Sequence, residues 1–281
     1  TIMVEKEIPV GRWFFHILIY LLPLSATAQD SRLLRLDTTE SGRQWEAVGR
    51  LDVNGSGFCT GALIAPDLVL TAAHCLYDRT SKRRIKTADM EFLAGWRNGR
   101  ASAYRGIRRA VAHPDYIYDE DVSSERVRND VALLQLQHPI RNTTIQPFTT
   151  ASRPRKGDQV GVVSYAQDRS EAPSLQEVCG VMARQQGVLV MSCDVDFGSS
   201  GAPIFSFDGD TARIVSVVSA KAEIRGQQVA LGSAIEEALT LLQAELLSKG
   251  AFGQATPGTG RVVVGHLRND TGAKFVRPGQ P

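Results

Sequence analysis

Three segments of this chain carry residue types that could do nucleophilic chemistry together. In Val69-Leu70-Thr71-Ala72-Ala73-His74-Cys75 a histidine follows an apolar run, and a base on the end of a buried strand is held rigidly enough to take a proton. In Phe197-Gly198-Ser199-Ser200-Gly201-Ala202-Pro203-Ile204-Phe205 a serine pair lies between glycines. A serine hydroxyl is a weak nucleophile near neutral pH and needs a base within hydrogen-bond reach and donors aimed at the developing oxyanion. The glycines permit a tight turn, and the N–H groups of Gly198 and Ser200 are the expected oxyanion hole. In Arg128-Asn129-Asp130-Val131-Ala132-Leu133-Leu134-Gln135-Leu136 one carboxylate opens an apolar strand. Asp130 there could accept the second ring N–H of His74 and fix its tautomer. Asp115, Asp119 and Asp121 are nearby acids, but none opens an apolar run. Each segment alone has a plainer reading, a structural histidine or a flexible Gly-Ser turn; together they point to acyl transfer by Ser200, His74 and Asp130.

The elements that must position these residues read as short strands broken by turns. Ala47–Leu51 precedes the turn signal Asn54-Gly55-Ser56-Gly57, and the apolar run Phe58–Ile64 follows it. Further strands are expected at Leu68–Thr71, Val131–Leu136, Val160–Val163, Val188–Met191 and Ile214–Val218, a spacing that suits sandwiches or barrels rather than βαβ units. One stretch, Ala234–Leu247, has helical character, with Ser233 as its expected N-cap and Gly250 near its end. The polar stretch Asp119–Arg128 is expected to be a surface loop. No internal repeat is visible.

Taken in order, Thr71-Ala72-Ala73-His74-Cys75, Asn129-Asp130-Val131-Ala132-Leu133-Leu134 and Gly198-Ser199-Ser200-Gly201-Ala202-Pro203 resemble the chymotrypsin-like (trypsin-like) serine peptidases. Ala112-His113-Pro114-Asp115-Tyr116 extends the resemblance, which covers roughly 47–218. It implies an all-β fold of two six-stranded antiparallel barrels with a C-terminal helix. The cleft between the barrels would hold His74 and Asp130 from the first and Ser200 from the second. It implies polypeptide substrates and no cofactor. Where animal members carry an aspartate that pairs with a new N-terminal amine, this chain has Ser199, and no Ile-Val-Gly-Gly start is present. The chain is therefore more similar to the secreted bacterial branch that includes glutamyl endopeptidases. Asp194, six residues before Ser200, stands where trypsin-like members bind cationic side chains, although Cys193 and Asp196 do not fit that pattern. Ser216 or Ser219, on the Ile214–Ala220 strand, is expected to begin pairing with substrate. A barrel that has kept its fold and lost catalysis, serving as a binding protein, is the rival reading. An α/β-hydrolase esterase is disfavoured by the serine spacing and by the order of the three segments.

Compartment and domain limits come from the ends of the chain and its cysteines. Lys6 and Arg12 precede the apolar run Trp13–Leu22, closed by Pro23 and followed by Ser25-Ala26-Thr27-Ala28. That pattern reads as a signal peptide, 1–28, cut after Ala28 and too short in its apolar run to anchor in a bilayer. Residues 29–46 are a candidate propeptide, 47–250 the folded domain, and 251–281 a poorly ordered Gly-, Pro- and Thr-rich tail. Cys59, Cys75, Cys179 and Cys193 allow three pairings. In an exported protein, nearest-neighbour pairing would staple two separate regions, and no CxxC or HxxxH spacing suggests zinc. The 281 residues carry a net charge of +2 with no run of like charges, so nothing marks a nucleic-acid binder. The expected location is secreted or periplasmic.

Overall fold

The computed structural model describes residues 33–53, 57–118 and 122–251. The expected leader, 1–28, and all but the first residue of the expected tail, 251–281, lie outside the described residues.

The chain opens with a two-residue strand, β1 (Leu34–Arg35), and a capped turn of helix, α1 (Thr39–Gly42). Six strands follow: β2 (Val48–Val53), β3 (Gly57–Ala65), β4 (Leu68–Thr71), β5 (Met90–Ala94), β6 (Ala103–Ala112) and β7 (Ala132–Leu136). They close into an antiparallel barrel in the order β2-β3-β4-β7-β6-β5. The second set is β8 (Gln159–Ser164), β9 (Ser174–Gln185), β10 (Val188–Met191), β11 (Pro203–Asp208), β12 (Thr211–Ile224) and β13 (Gln227–Ala234). It closes in the equivalent order, β8-β9-β10-β13-β12-β11, because β8 pairs with both β9 and β11. These are the two six-stranded barrels the resemblance implied, and they share one topology.

The continuous apolar runs have a simple cause. Successive strand residues face opposite ways, and in β3, β4 and β7 both ways are buried. Leu63, Val69 and Leu134 point into the first barrel. Their neighbours Ala62, Leu70 and Leu133 join Trp45, Phe205, Ile214 and Val217 in a seam between the barrels. A strand with no wet face has no reason to alternate. The third cluster, including Val160, Leu189, Met191 and Ile204, fills the second barrel.

Helix α3 (Glu236–Ala251) leaves the second barrel and lays Ala238, Leu239, Leu242 and Leu246 on the seam, where Arg109 of β6 donates to the carbonyl of Leu246 at 2.9 Å. Ser233 is not its N-cap. It sits in β13, and its hydroxyl donates to the carbonyls of Val127 and Asp130 at 2.6 and 3.1 Å. The expected loop at 119–128 also contains structure. Ser123 caps a short helix, α2 (Ser124–Asn129), by accepting from the Arg126 N–H at 3.1 Å, and Val127 is buried beneath it. A six-residue helix shows too little periodicity to stand out in sequence. The stretch from Leu34 is part of the fold: β1 pairs with β9, and Leu36, Trp45 and Ala47 are buried. Among the described residues no helix is long and apolar enough to cross a membrane.

Candidate active site

His74 and Asp130 are brought together by strand register. Strands β4 and β7 pair so that Thr71 faces Ala132, so the residues just beyond β4 and just before β7 leave the barrel side by side. His74 lies in a short 3-10 turn at the end of β4, and the neighbouring Cys75 is bonded to Cys59 on β3. That disulfide fixes the turn. Asp130 is almost wholly buried, at 1% exposure. Its Oδ1 accepts the backbone N–H of His74 at 2.8 Å, and its Oδ2 lies 2.7 Å from His74 Nδ1. A carboxylate can only accept, so Nδ1 carries the proton and Nε2 is left as the basic nitrogen. A third donor, the Ser219 hydroxyl of β12, reaches Asp130 Oδ2 at 2.5 Å. The carboxylate is thus held from both barrels.

Ser200 lies on the turn between β10 and β11, partly exposed. Its own carbonyl accepts the Thr60 N–H at 2.8 Å, and the next residue, Gly201, donates to the carbonyl of Val218, one residue before Ser219. Gly201 has φ +74°, and a Cβ there would meet Thr71 Oγ1, the carbonyl oxygen of Thr60 and the amide nitrogen of Ala72. Only glycine allows this approach to the end of β4. Ser200 is thereby placed beside the His74 turn on one side and the Asp130 partner Ser219 on the other. Among the described residues its hydroxyl makes no hydrogen bond.

The peptide planes around Ser200 have a definite orientation. In a trans peptide the C=O and the following N–H point opposite ways, and there are no cis bonds among the described residues. The carbonyl of Phe197 accepts Gln167 N–H at 2.7 Å, and that of Ser199 accepts Ala202 N–H at 3.0 Å. The N–H groups of Gly198 and Ser200 therefore point away from those partners, and among the described residues they donate to nothing. Gly198 has φ +97°, and a Cβ there would run into the Phe58 ring. The result is a pair of backbone donors available to an anion.

The remaining expected residues fall as follows. Cys59 pairs with Cys75 and Cys179 with Cys193, the nearest-neighbour arrangement. The sulfurs of Cys59 and Cys75 lie close to His74, but as a disulfide they offer no thiolate to a metal. Ser216 turns its hydroxyl inward to the carbonyl of Ser233 at 2.7 Å and is 1% exposed. Asp194 is exposed; its backbone N–H donates to Gln176 Oε1, and its carboxylate has no partner among the described residues. The Asp196 carboxylate instead lies 3.7 Å from Lys221 Nζ on β12. Arg79 lies over the exposed ring of Phe197, 4.9 Å from its centroid. Thr60 and Ser164 were not singled out in the sequence, where nothing but the neighbouring Cys59 marks Thr60. Ser219 was singled out for a different role.

Comparison with known proteins gives a consistent picture. The family profile described as Trypsin matches residues 37–235. The chain is 28% identical over 152 residues to glutamyl endopeptidase of Bacillus licheniformis, covering 53% of this chain and 45% of that protein. It is 29% identical over 184 residues to a trypsin of Simulium vittatum, covering 56% of this chain and 69% of that one. Less than half of the bacterial relative's length is therefore matched. Among solved structures, a Glu endopeptidase in complex with MPD superposes with a TM-score of 0.63 at 17% identity, over 78% of this chain and 98% of that chain. At that identity the likeness speaks to the fold.

Proposed function

The chain belongs to the trypsin family, and from that premise we propose that it is a serine endopeptidase acting on polypeptides outside the cytoplasm. The observation that carries the proposal is the double grip of Asp130 on His74, through backbone N–H and ring Nδ1, together with the N–H groups of Gly198 and Ser200, which have no acceptor among the described residues. In this reading Ser200 Oγ attacks the scissile carbonyl and its proton passes to His74 Nε2. The N–H groups of Gly198 and Ser200 receive the oxyanion. Asp130 stabilises the imidazolium, which then protonates the leaving amine. Water, deprotonated by His74 in turn, releases the acyl group from Ser200. Every step uses groups of this chain, without a cofactor. The Ser200 hydroxyl makes no hydrogen bond among the described residues, and such contacts commonly tighten only with substrate bound.

Export fits the pairing of all four cysteines, since disulfides persist in oxidising compartments. In this reading the leader ends at residue 28, and the pairing of β1 with β9 supports a mature chain that keeps Leu34 and Arg35. Among the described residues Asp194 is the one expected substrate contact whose side chain has no partner, and we assign it to a cationic side chain of the substrate.

The test is labelling with a fluorophosphonate probe, with the modified residue read by mass spectrometry. Labelling at Ser200 in the wild type, lost in Ser200→Ala and at least 100-fold slower in His74→Ala, is expected. A folded wild type that neither labels nor cleaves a casein substrate would overturn the proposal in favour of a non-catalytic binding protein.

A further inference from the structure

The carbonyls of three consecutive residues, 197 to 199, are all held from behind. Phe197 C=O accepts Gln167 N–H at 2.7 Å, Gly198 C=O accepts the Thr60 hydroxyl at 2.8 Å, and Ser199 C=O accepts Ala202 N–H at 3.0 Å. Two of the groups that fix this stretch trace to one place, the end of β8. The Tyr165 N–H donates to Thr60 Oγ1 at 3.1 Å, so a single buried hydroxyl bridges the second barrel's β8 to the Gly198 carbonyl. The Thr60 backbone adds its N–H to the Ser200 carbonyl, and its own carbonyl accepts Thr71 Oγ1 at 2.9 Å. Every polar atom of Thr60 is therefore used, and it is 0% exposed.

Ser199 is equally enclosed. Its hydroxyl donates toward Ser164 Oγ at 3.2 Å and the Tyr165 carbonyl at 3.3 Å, and it accepts the Asp196 N–H at 3.4 Å. No charge is buried in this arrangement, so none needs a counter-ion. A carboxylate at that position would require one, because an unpaired buried charge is strongly destabilising.

We infer that Thr60 and Ser199 are positioning residues that hold the Gly198 and Ser200 N–H groups in their anion-binding orientation, and that these two hydroxyls do so without an N-terminal amine. The inference rests on the peptidase reading above. If the Thr60 hydroxyl is removed, the Gly198 carbonyl loses its partner and the 197–199 peptides can rotate. The cost then falls on the tetrahedral state, which uses those N–H groups, and not on ground-state binding. Losing one oxyanion donor lowers kcat by about 10²- to 10³-fold; loosening it should cost about 10- to 100-fold, a part of that range.

The experiment compares wild type with Thr60→Val, Thr60→Ser and Ser199→Ala on one peptide amide substrate and one peptide boronic acid inhibitor. Thr60→Val, which keeps the shape, should lower kcat at least tenfold with KM within threefold, and should weaken the boronic acid by the same factor as kcat/KM. Thr60→Ser should restore both; Ser199→Ala should fall between. In parallel, the mature protein, its first residue determined by mass spectrometry, is compared with a form carrying three extra residues ahead of it. Unchanged kcat in the extended form is expected. The inference is overturned if Thr60→Val, folded by its melting temperature, keeps wild-type kcat and inhibitor affinity, or if the extension abolishes turnover. Should Thr60→Val not fold, Ser199→Ala and the extended form decide. A wild type without turnover refutes the peptidase reading instead, so the two failures are distinct.

Discussion

Replacing Asp130 by asparagine tests the candidate site most sharply, because the structure dictates how the new side chain must sit. The carboxylate accepts from three donors: His74 N–H on Oδ1, and His74 Nδ1 and the Ser219 hydroxyl on Oδ2. An asparagine has one accepting oxygen and one NH₂ group. The backbone N–H of His74 cannot become an acceptor, so the amide oxygen must take that side. The NH₂ then lies against His74 Nδ1 and Ser219 Oγ, both of which can accept: the hydroxyl rotates and the imidazole moves its proton. That shift puts the proton on Nε2, the nitrogen needed as base. Two hydrogen bonds to a charged acceptor, each worth about 1.5–3 kcal/mol, are inverted. The combined 3–6 kcal/mol corresponds to about 10²- to 10⁴-fold in kcat/KM at 1.36 kcal/mol per tenfold. The assay is peptide amide hydrolysis by Asp130→Asn, with folded protein quantified by near-UV circular dichroism. KM should change little and kcat should carry the loss. A folded Asp130→Asn with kcat/KM within threefold of wild type would refute the assignment and send the search back to Asp115 as the orienting acid.

Three further expectations follow from other parts of the molecule. Cys59 and Cys75 lie 16 residues apart, so replacing both by serine should cost roughly 3 kcal/mol of unfolding free energy from loop closure; urea titration reads it, and a loss under 0.5 kcal/mol would show that the turn is held without the bond. Burial, opposed by Asp115, depresses the pKa of His113 below its usual 6.5, and its Nδ1 accepts the Asp115 N–H at 3.3 Å, which requires a neutral ring. The unfolded chain then binds the proton more readily, so this contribution is present above pH 6.5 and lost as pH falls below it; His113→Asn should flatten that part of a melting-temperature profile, and an unchanged slope would count against it. With Asp194 as acceptor of a cationic side chain, Asp194→Asn should lower kcat/KM at least tenfold on substrates cut after Lys or Arg and leave others unaltered, and equal effects on both would exclude the carboxylate from specificity.

The candidate site residues stand out in the sequence because each is marked by an abrupt change of residue type. His74 and Asp130 interrupt apolar runs, and Ser200 lies among glycines whose positive φ values no other residue tolerates well. The strands that carry them were legible for the same reason, being buried on both faces. Strands β5, β6, β9, β11 and β13 were not, because they mix buried residues with exposed or half-buried ones, such as Glu91 in β5 and Arg108 in β6. The shared strand order of the two barrels left no visible repeat either: β4 reads Leu-Val-Leu-Thr and its counterpart β10 reads Val-Leu-Val-Met. Barrel closure constrains where side chains point, not which apolar residue points there. Ser233 was misplaced as a helix cap because serine before a helical run is a local signal, whereas its actual partners, Val127 and Asp130, lie about a hundred positions away.

That last case is an instance of how the two barrels meet at the site. The barrel ends supply backbone carbonyls, the first barrel adds the Asp130 carboxylate, and several of the groups that cross between barrels to satisfy them are hydroxyls. Thr60 reaches Gly198 from the first barrel; Ser219 reaches Asp130, and Ser233 reaches the Val127 and Asp130 carbonyls, from the second. A short neutral side chain loses little rotamer entropy and little solvation when buried with its bond made, so it can stitch a seam where a lysine or arginine would first have to shed tightly held water. The consequence for function is that His74 and Ser200, which come from different barrels, are held in mutual register by hydroxyl bonds at the seam as well as by its apolar packing. Removing these hydroxyls one at a time should therefore erode turnover before it erodes stability, whereas Leu242→Ala, which leaves a cavity in the same seam, should cost about 2–5 kcal/mol of stability and only then activity.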